Sequence, residues 1–258
     1  MIQIDEARCV RCGACAGICE FHHIAMTPQG PAMTAEDCCG CGHCLAICPT
    51  GAVSLPQYSG GQVTEYDEKT FTVQPENLLN LIRFRRSCRR FRREDLPRET
   101  VERLLQAGRY SPTACNNQDV RYVVVHEERA KVLPMLWEGL LAHAQSTDDQ
   151  DLLEICRQHH TDGVDTLSYG CSDLVFILSP RQLNGGIAAC AIELLANAMG
   201  LGALYLGYGE KAVAAWPPLQ TYLGMGNGDQ LCAILCLGYP EVQWHRTVPR
   251  KDLNALWR

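Results

Sequence analysis

The chain has no surplus of positive charge. Its 23 Lys and Arg stand against 29 Asp and Glu, a formal charge of −6, which argues against a general nucleic-acid binder. No stretch reads as a secretory signal. No apolar run is long and clean enough for a bilayer: residues 187–206 come nearest, but Glu193, Asn197 and several glycines interrupt them. That segment reads as a buried helix followed by a strand. A Gly-rich dinucleotide fingerprint is also missing. These absences leave a cytoplasmic protein with no nucleic-acid or membrane partner as the expectation. An apolar fraction of 47% in 258 residues suits a small domain followed by a medium one, each with a core.

Cysteine, by contrast, is abundant, with 16 in the chain. Disulfide scaffolds are short and spread their cysteines along their length. Here nine fall within the first 48 residues, in two tight runs, which points to metal. The runs are Cys9, Cys12, Cys15, Cys19 and Cys38, Cys41, Cys44, Cys48, both C-x2-C-x2-C-x3-C and offset by 29 residues. Ile2, Ile4, Ala25 and Met26 flank the first; Met33, Val53 and Leu55 flank the second. A duplicated unit of strand, cluster loop, helix and strand fits this. Three closely spaced cysteines wrap three corners of one cubane, while the fourth, a helical turn on, points to the other cluster. The spacing therefore assigns Cys9, Cys12, Cys15 and Cys48 to one 4Fe–4S cluster, and Cys38, Cys41, Cys44 and Cys19 to a second. Gly13, Ala14, Gly40 and Gly42 keep the loops small, so that backbone N–H groups can approach the sulfurs. The remaining thiols, such as Cys190, Cys232 and Cys236, read as reduced core residues.

Residues 1–55 resemble the bacterial two-cluster ferredoxins. Glu20 departs from that pattern, standing where the first run usually has proline, and Cys39 is an extra thiol beside a ligand. Cys38 keeps the repeat in register and is the expected ligand of the two. Zinc is the competing metal, but it favours separated C-x2-C knuckles. His22, His23 and His43 read as surface or supporting residues. Asp5, Glu6, Glu20, Glu36 and Asp37 outnumber Arg8 and Arg11 in this segment, which suits a basic face on an external electron donor.

Residues 56–74 are polar, include Gly60 and Gly61, and show no helical period; they read as a linker crossing the surface of the larger domain. From 75 to 258 the pattern is mixed. Leu78, Leu79 and Ile82 mark a helix, and Pro97 opens another through Val101, Leu104, Leu105 and Gly108. Residues 120–125, 174–178 and 231–237 read as strands, and 187–199 as an apolar helix that must be covered nearly all round. Residues 133–165 are expected to supply helices and a lid over a substrate.

Seven arginines fall between 83 and 93: Arg83, Arg85, Arg86, Arg89, Arg90, Arg92 and Arg93. Arg85, Arg86, Ser87 and Arg89 are close enough to converge on one phosphate. On spacing alone, a phosphate site and a solvated basic face both remain open.

The run Arg85-Arg86-Ser87-Cys88-Arg89-Arg90-Phe91 is similar to the opening signature of the nitroreductase family of FMN proteins. Tyr110 to Gln118 resembles the next signature, Gly200 to Tyr208 a third, and Leu237-Gly238-Tyr239-Pro240 a fourth. The resemblance covers about residues 75–258. It implies that Arg85, Arg86, Ser87 and Arg89 hold the FMN phosphate and ribityl chain. Pro112, Thr113, Ala114 and Asn116 would reach a flavin bound mainly by the other subunit of a homodimer. Leu206 and Gly207 would lie along the ring, and Arg250 would close on the phosphate. Asp119 and Val120 replace the usual proline and tryptophan, and Gly207 stands where some members carry an acid, so the substrate is left open. Cys115 would lie near the flavin, where a packing role is favoured over a reactive one.

The expected fold is α+β: a ferredoxin-like two-cluster domain over 1–55, a linker over 56–74 and a nitroreductase-like α/β FMN domain over 75–258. The expected function is an iron–sulfur flavoprotein oxidoreductase. Electrons from an external low-potential donor would pass through two 4Fe–4S clusters to FMN, which reduces a small organic acceptor such as a nitro compound, quinone or activated alkene. The alternatives are delivery from FMN to a protein partner, and a specialised flavin reaction such as reductive dehalogenation. A proton could come from water, Tyr205 or Tyr208.

Overall fold

A computed structural model of the protein describes residues 2–58 and 63–258. The linker glycines Gly60 and Gly61 lie outside the described residues. Two compact units emerge. The first runs to Thr72 and also takes in Thr113–Asn117; the second comprises Val73–Pro112 and Gln118–Arg258. The expected linker is thus grouped with the first unit as far as Thr72.

The first unit contains β1 (Gln3–Ile4), α1 (Ala14–Gly17), β2 (Ile24–Thr27), β3 (Gly30–Met33), α2 (His43–Ala46), β4 (Val53–Ser54) and the one-turn α3 (Glu68–Phe71). Strand β1 pairs antiparallel with β4, Ile4 opposite Val53. Strands β2 and β3 form a hairpin with Ile24 opposite Met33. The repeat seen in the cysteines is also a structural repeat. Helices α1 and α2 both start after a left-handed glycine, Gly13 at φ 77° and Gly42 at φ 81°. The buried core is small: Ile2, Ile24 and Val53 with Cys15 and Cys44. A core of that size needs cross-links or metal to hold a fold. Helix α3 has no counterpart in the apolar pattern, because nothing in it is buried. It rests on local chemistry, the Asp67 carboxylate accepting the Lys69 N–H at 3.0 Å.

The second unit contains α4 (Pro75–Phe84), α5 (Arg98–Arg109), β5 (Arg121–Val125), α6 (Arg129–Thr147), α7 (Gln150–Asp162), β6 (Asp173–Ser179), α8 (Gln182–Ala198), β7 (Gly202–Tyr205), α9 (Gly207–Ala215), α10 (Pro217–Tyr222) and β8 (Gln230–Gly238). The sheet order is β5-β6-β8-β7, and every neighbouring pair is antiparallel. All seven residues of β6 are buried, because helices cover both faces of the sheet. That is why β6 and β8 read as continuous apolar runs rather than as alternating strands. The period of two then sorts their residues between two cores. Leu174, Phe176, Ile234 and Cys236 join Leu136 and Leu140 of α6. Val175, Ile177, Leu235 and Leu237 join Leu104 of α5 and Ile192 of α8.

The helices and strands expected in this unit are present. Helix α8 is covered along Ala188, Ala189, Ile192 and Ala196. The lid is corrected: α6 is fixed in the core through Leu136, Leu140 and Ala144, each fully buried. Helix α7 is capped by the Asp149 carboxylate, which accepts the Leu152 N–H at 3.1 Å. Among the described residues no helix is long and apolar enough to cross a membrane.

Candidate functional site

In the first unit the two cysteine runs surround two cavities. One is lined by Cys9, Cys12, Cys15 and Cys48. The other is lined by Cys19, Cys38, Cys41 and Cys44, with Cys39 also on its wall. In each, the last cysteine of one run joins the first three of the other. Among the described residues no three His, Cys, Asp or Glu side chains close on a single-ion point; the thiols stand around a larger volume.

Backbone donors reach the two crossed thiols in the same way. His23 N–H donates to Cys19 Sγ at 3.3 Å, and Ala52 N–H donates to Cys48 Sγ at 3.2 Å. Burial resists ionisation of Cys48, but hydrogen bonds from Thr50, Ala52 and Val53 outweigh it and hold the thiol below its usual range. Burial pushes the Cys15 and Cys44 thiols up. Their thiolate forms therefore need a compensating positive charge inside the cavity, which cluster iron would supply.

In the second unit the arginine segment leaves α4 and runs beside β7. Ser87 pairs in parallel with Ala203, and Cys88 N–H donates to the Ala203 carbonyl at 2.9 Å. This close approach requires Gly202, where a Cβ would stand 2.8 Å from Cys88 Sγ and 3.0 Å from Phe91. Three of the seven arginines are paired to carboxylates: Arg85 to Glu193, Arg90 to Glu241 and Arg92 to Glu94. Arg85 Nη1 donates to Glu193 Oε2, while Arg85 Nε is buried with no hydrogen-bond partner. Arg86, Arg89 and the Ser87 hydroxyl have no partner among the described residues. An orphaned buried N–H beside free guanidinium groups fits a missing anionic ligand with several acceptor oxygens.

Near this segment, burial first, then Glu193 and Cys190, push the Tyr205 hydroxyl well above its usual value. Tyr205 therefore keeps its proton at neutral pH. Leu206 is buried and caps α9, and Gly207 is the first residue of that helix. The space where a Cβ would project from Gly207 is open, and the first N–H groups of a helix lack partners within it.

The second signature is divided between the units. Pro112 belongs to the second, and Thr113, Ala114 and Asn116 to the first. Cys115 and Asn116 are both left-handed, at φ 51° and 53°, an uncommon conformation for residues with a side chain. Cys115 is exposed in the single chain. Arg250 is exposed and carries no partner among the described residues.

Comparison with known proteins bears on both units. Residues 1–69 match a 4Fe–4S dicluster domain, and residues 82–167 match the nitroreductase family. The chain joins a dicluster domain to a nitroreductase-family domain. Over 55 residues the dicluster domain is 42% identical to the polyferredoxin protein MvhB of Methanothermobacter thermautotrophicus, covering 21% of this chain and 13% of that protein. The nitroreductase-family domain shares its fold with an FMN-bound nitroreductase from Bacteroides fragilis, at a TM-score of 0.58 and 20% identity, covering 70% of this chain and 98% of that one. An FMN-bound nitroreductase from Desulfitobacterium hafniense gives the same TM-score of 0.58 at 24% identity, with the same 70% and 98% coverage.

Sequence reasoning gave two residues no role that the structure gives them. Glu193 entered only as a break in an apolar run; a lone carboxylate in a buried helix was the signal that it had a cationic partner. Asp119 entered only as a departure from the nitroreductase pattern. It anchors β6 and α8, its Oδ1 accepting from Asn184 Nδ2 at 2.8 Å and from Ser179 Oγ at 3.3 Å.

Proposed function

We propose that the protein is an iron–sulfur flavoprotein oxidoreductase. Electrons from an external low-potential donor pass through two 4Fe–4S clusters to FMN, which reduces a small organic acceptor. One observation carries the reading: two cavities walled by crossed sets of four thiols occur in the same chain as an arginine segment with unsatisfied donors. Cys9, Cys12, Cys15 and Cys48 would hold one cluster, and Cys38, Cys41, Cys44 and Cys19 the other. Arg85 through its Nε, together with Arg86, Ser87 and Arg89, would hold the flavin phosphate. Arg250 would close on it. Leu206 and Gly207 would lie along the ring, and Pro112, Thr113, Ala114 and Asn116 would reach the flavin of a second copy.

When bound, the clusters supply single electrons and the flavin supplies one- or two-electron chemistry. The chain supplies the rest. Backbone N–H groups at His23 and Ala52 stabilise thiolate charge. Glu193 fixes the Arg85 guanidinium so that its Nε faces a set direction. Tyr205 keeps a neutral hydroxyl, but burial and Glu193 push it up and make it a poor acid, so protons for the acceptor would come from solvent.

The test is anaerobic purification with analysis of iron, sulfide, zinc and flavin. The expected content is about eight irons and one FMN per chain. Zinc without sulfide, or absence of flavin, overturns the proposal. Flavin reoxidation after reduction, followed across a panel of electrophiles, then identifies the acceptor class.

A further inference from the structure

The internal repeat lets the two cysteine loops be compared position by position. Residue 40 in the second loop corresponds to residue 11 in the first, at the same offset of 29. Both are left-handed, Gly40 at φ 64° and Arg11 at φ 55°. Their surroundings differ: Arg11 is exposed, whereas Gly40 is buried. Gly40 is covered within the first unit by two side chains. Asn116 Nδ2 donates to the Gly40 carbonyl at 3.0 Å and to Tyr58 Oη at 3.3 Å. The Tyr58 hydroxyl donates to that same carbonyl at 3.2 Å. Glycine suits the left-handed backbone here, and a Cβ at residue 40 would stand 2.8 Å from Gln57 Nε2 and 3.0 Å from Tyr58 Oη, so that those side chains would have to shift.

Asn116 therefore joins two things. Its side chain is bonded to the backbone between Cys39 and Cys41, on the wall of the second cavity. Its backbone belongs to the segment that, on the proposed function, reaches the flavin. Cys115 and Asn116 both hold the left-handed backbone, which residues with a side chain adopt uncommonly. The bonds to Gly40 and Tyr58 hold the segment in that conformation. Electron transfer falls steeply with distance and favours bonded paths over gaps. The first loop, with Val10 and Arg11 exposed at the positions matching Cys39 and Gly40, is open to an approaching protein.

Building on the proposed function, we infer that the cluster held by Cys38, Cys41, Cys44 and Cys19 is the one that delivers electrons to the flavin, through the Gly40–Asn116 bridge. The cluster held by Cys9, Cys12, Cys15 and Cys48 receives them from outside. Each pass oxidises a one-electron protein donor once, reduces the outer cluster, then the inner one, then the flavin. Two passes, with two protons from solvent, complete the two-electron reduction of one FMN.

The experiment uses the full chain, loaded anaerobically, and reads absorbance after a flash of photochemical one-electron reduction. Cluster bleaching and flavin bleaching are followed separately. Gly40→Ala is expected to slow cluster-to-flavin transfer several-fold while cluster reduction by the flash is unchanged. Arg11→Gly, the matched change in the other loop, is expected to leave cluster-to-flavin transfer at the wild-type rate. Equal slowing in both, or slowing only in Arg11→Gly, overturns the inference. If Gly40→Ala does not take up iron, Tyr58→Phe removes a bond to the same carbonyl from outside the cavity and carries the same comparison. A chain lacking iron or FMN altogether sinks the proposed function; a fully loaded chain in which neither Gly40→Ala nor Tyr58→Phe slows transfer sinks this inference alone.

Discussion

Arg85 and Glu193 form an ion pair at 2.5 Å in which the carboxylate side chain is only 7% exposed, while a third of the arginine side chain remains open. The pair joins the end of α4 to the middle of α8 and leaves one guanidinium nitrogen buried and unpaired.

This pair separates folding from flavin binding. Arg85→Ala should both release FMN and destabilise the second unit, because it strands a buried carboxylate. Glu193→Gln should keep most of the shape and cost about 1–3 kcal/mol. In the double variant the stability loss should be smaller than the sum of the two single losses, yet FMN should still be lost. Thermal unfolding and flavin fluorescence measure the two effects independently, and a double variant that recovers FMN would remove Arg85 from the phosphate site.

Arg89 gives the cleaner binding test, being exposed and unpaired. Arg89→Ala should weaken FMN by about 2 kcal/mol, the worth of a hydrogen bond to a charged group, with iron content and melting temperature unchanged. Titration of the flavin-free protein with FMN checks it. Unchanged affinity would move the phosphate elsewhere.

Gly202→Ala should act through packing. A Cβ there meets Cys88 Sγ and Phe91, so the arginine segment must shift away from β7. A loss of about 1–3 kcal/mol is expected from overpacking, together with weakened FMN binding. Denaturant unfolding and flavin titration should move together; a variant destabilised but binding FMN normally would show that the segment's seat on β7 does not set the site.

Tyr122 sets an alkaline limit. Burial pushes its hydroxyl from 10 up to about 12, and that hydroxyl has no hydrogen-bond partner. The folded state keeps the proton after the unfolded chain has lost it. Stability from this group is therefore full below pH 10 and falls as pH rises towards about 12. Tyr122→Phe should raise stability at neutral pH by about 1 kcal/mol, by removing an unsatisfied buried group, and should flatten the alkaline decline. Unfolding curves from pH 7 to 11 check both parts.

The sequence was most legible where chemistry dictates spacing. Two four-cysteine runs in register leave few ways to wrap a cluster, and the crossing of Cys19 and Cys48 follows from helical geometry alone. Strands β6 and β8 were legible because burial on both faces demands unbroken apolar runs. Other features depend on partners far away in the chain. Nothing near Glu193 names Arg85, 108 residues distant, and nothing near Asn116 names Gly40, 76 residues away. Helix α3 was hidden for the opposite reason: its support is a single local cap with no periodic burial to betray it.

The pairing pattern of the arginine segment has one more consequence. With Arg85, Arg90 and Arg92 already neutralised by Glu193, Glu241 and Glu94, the segment keeps the charges of Arg83, Arg86, Arg89 and Arg93, and those assigned to the proposed anchor are Arg86 and Arg89, joined by Arg250. A phosphate monoester near neutral pH carries a charge of about −1.5 to −2. Three free cations would cover one such terminus with about one charge to spare. What looks in the sequence like a uniform run of seven arginines carries, once its internal counterions are subtracted, four open charges, and only two of these stand at the proposed phosphate anchor.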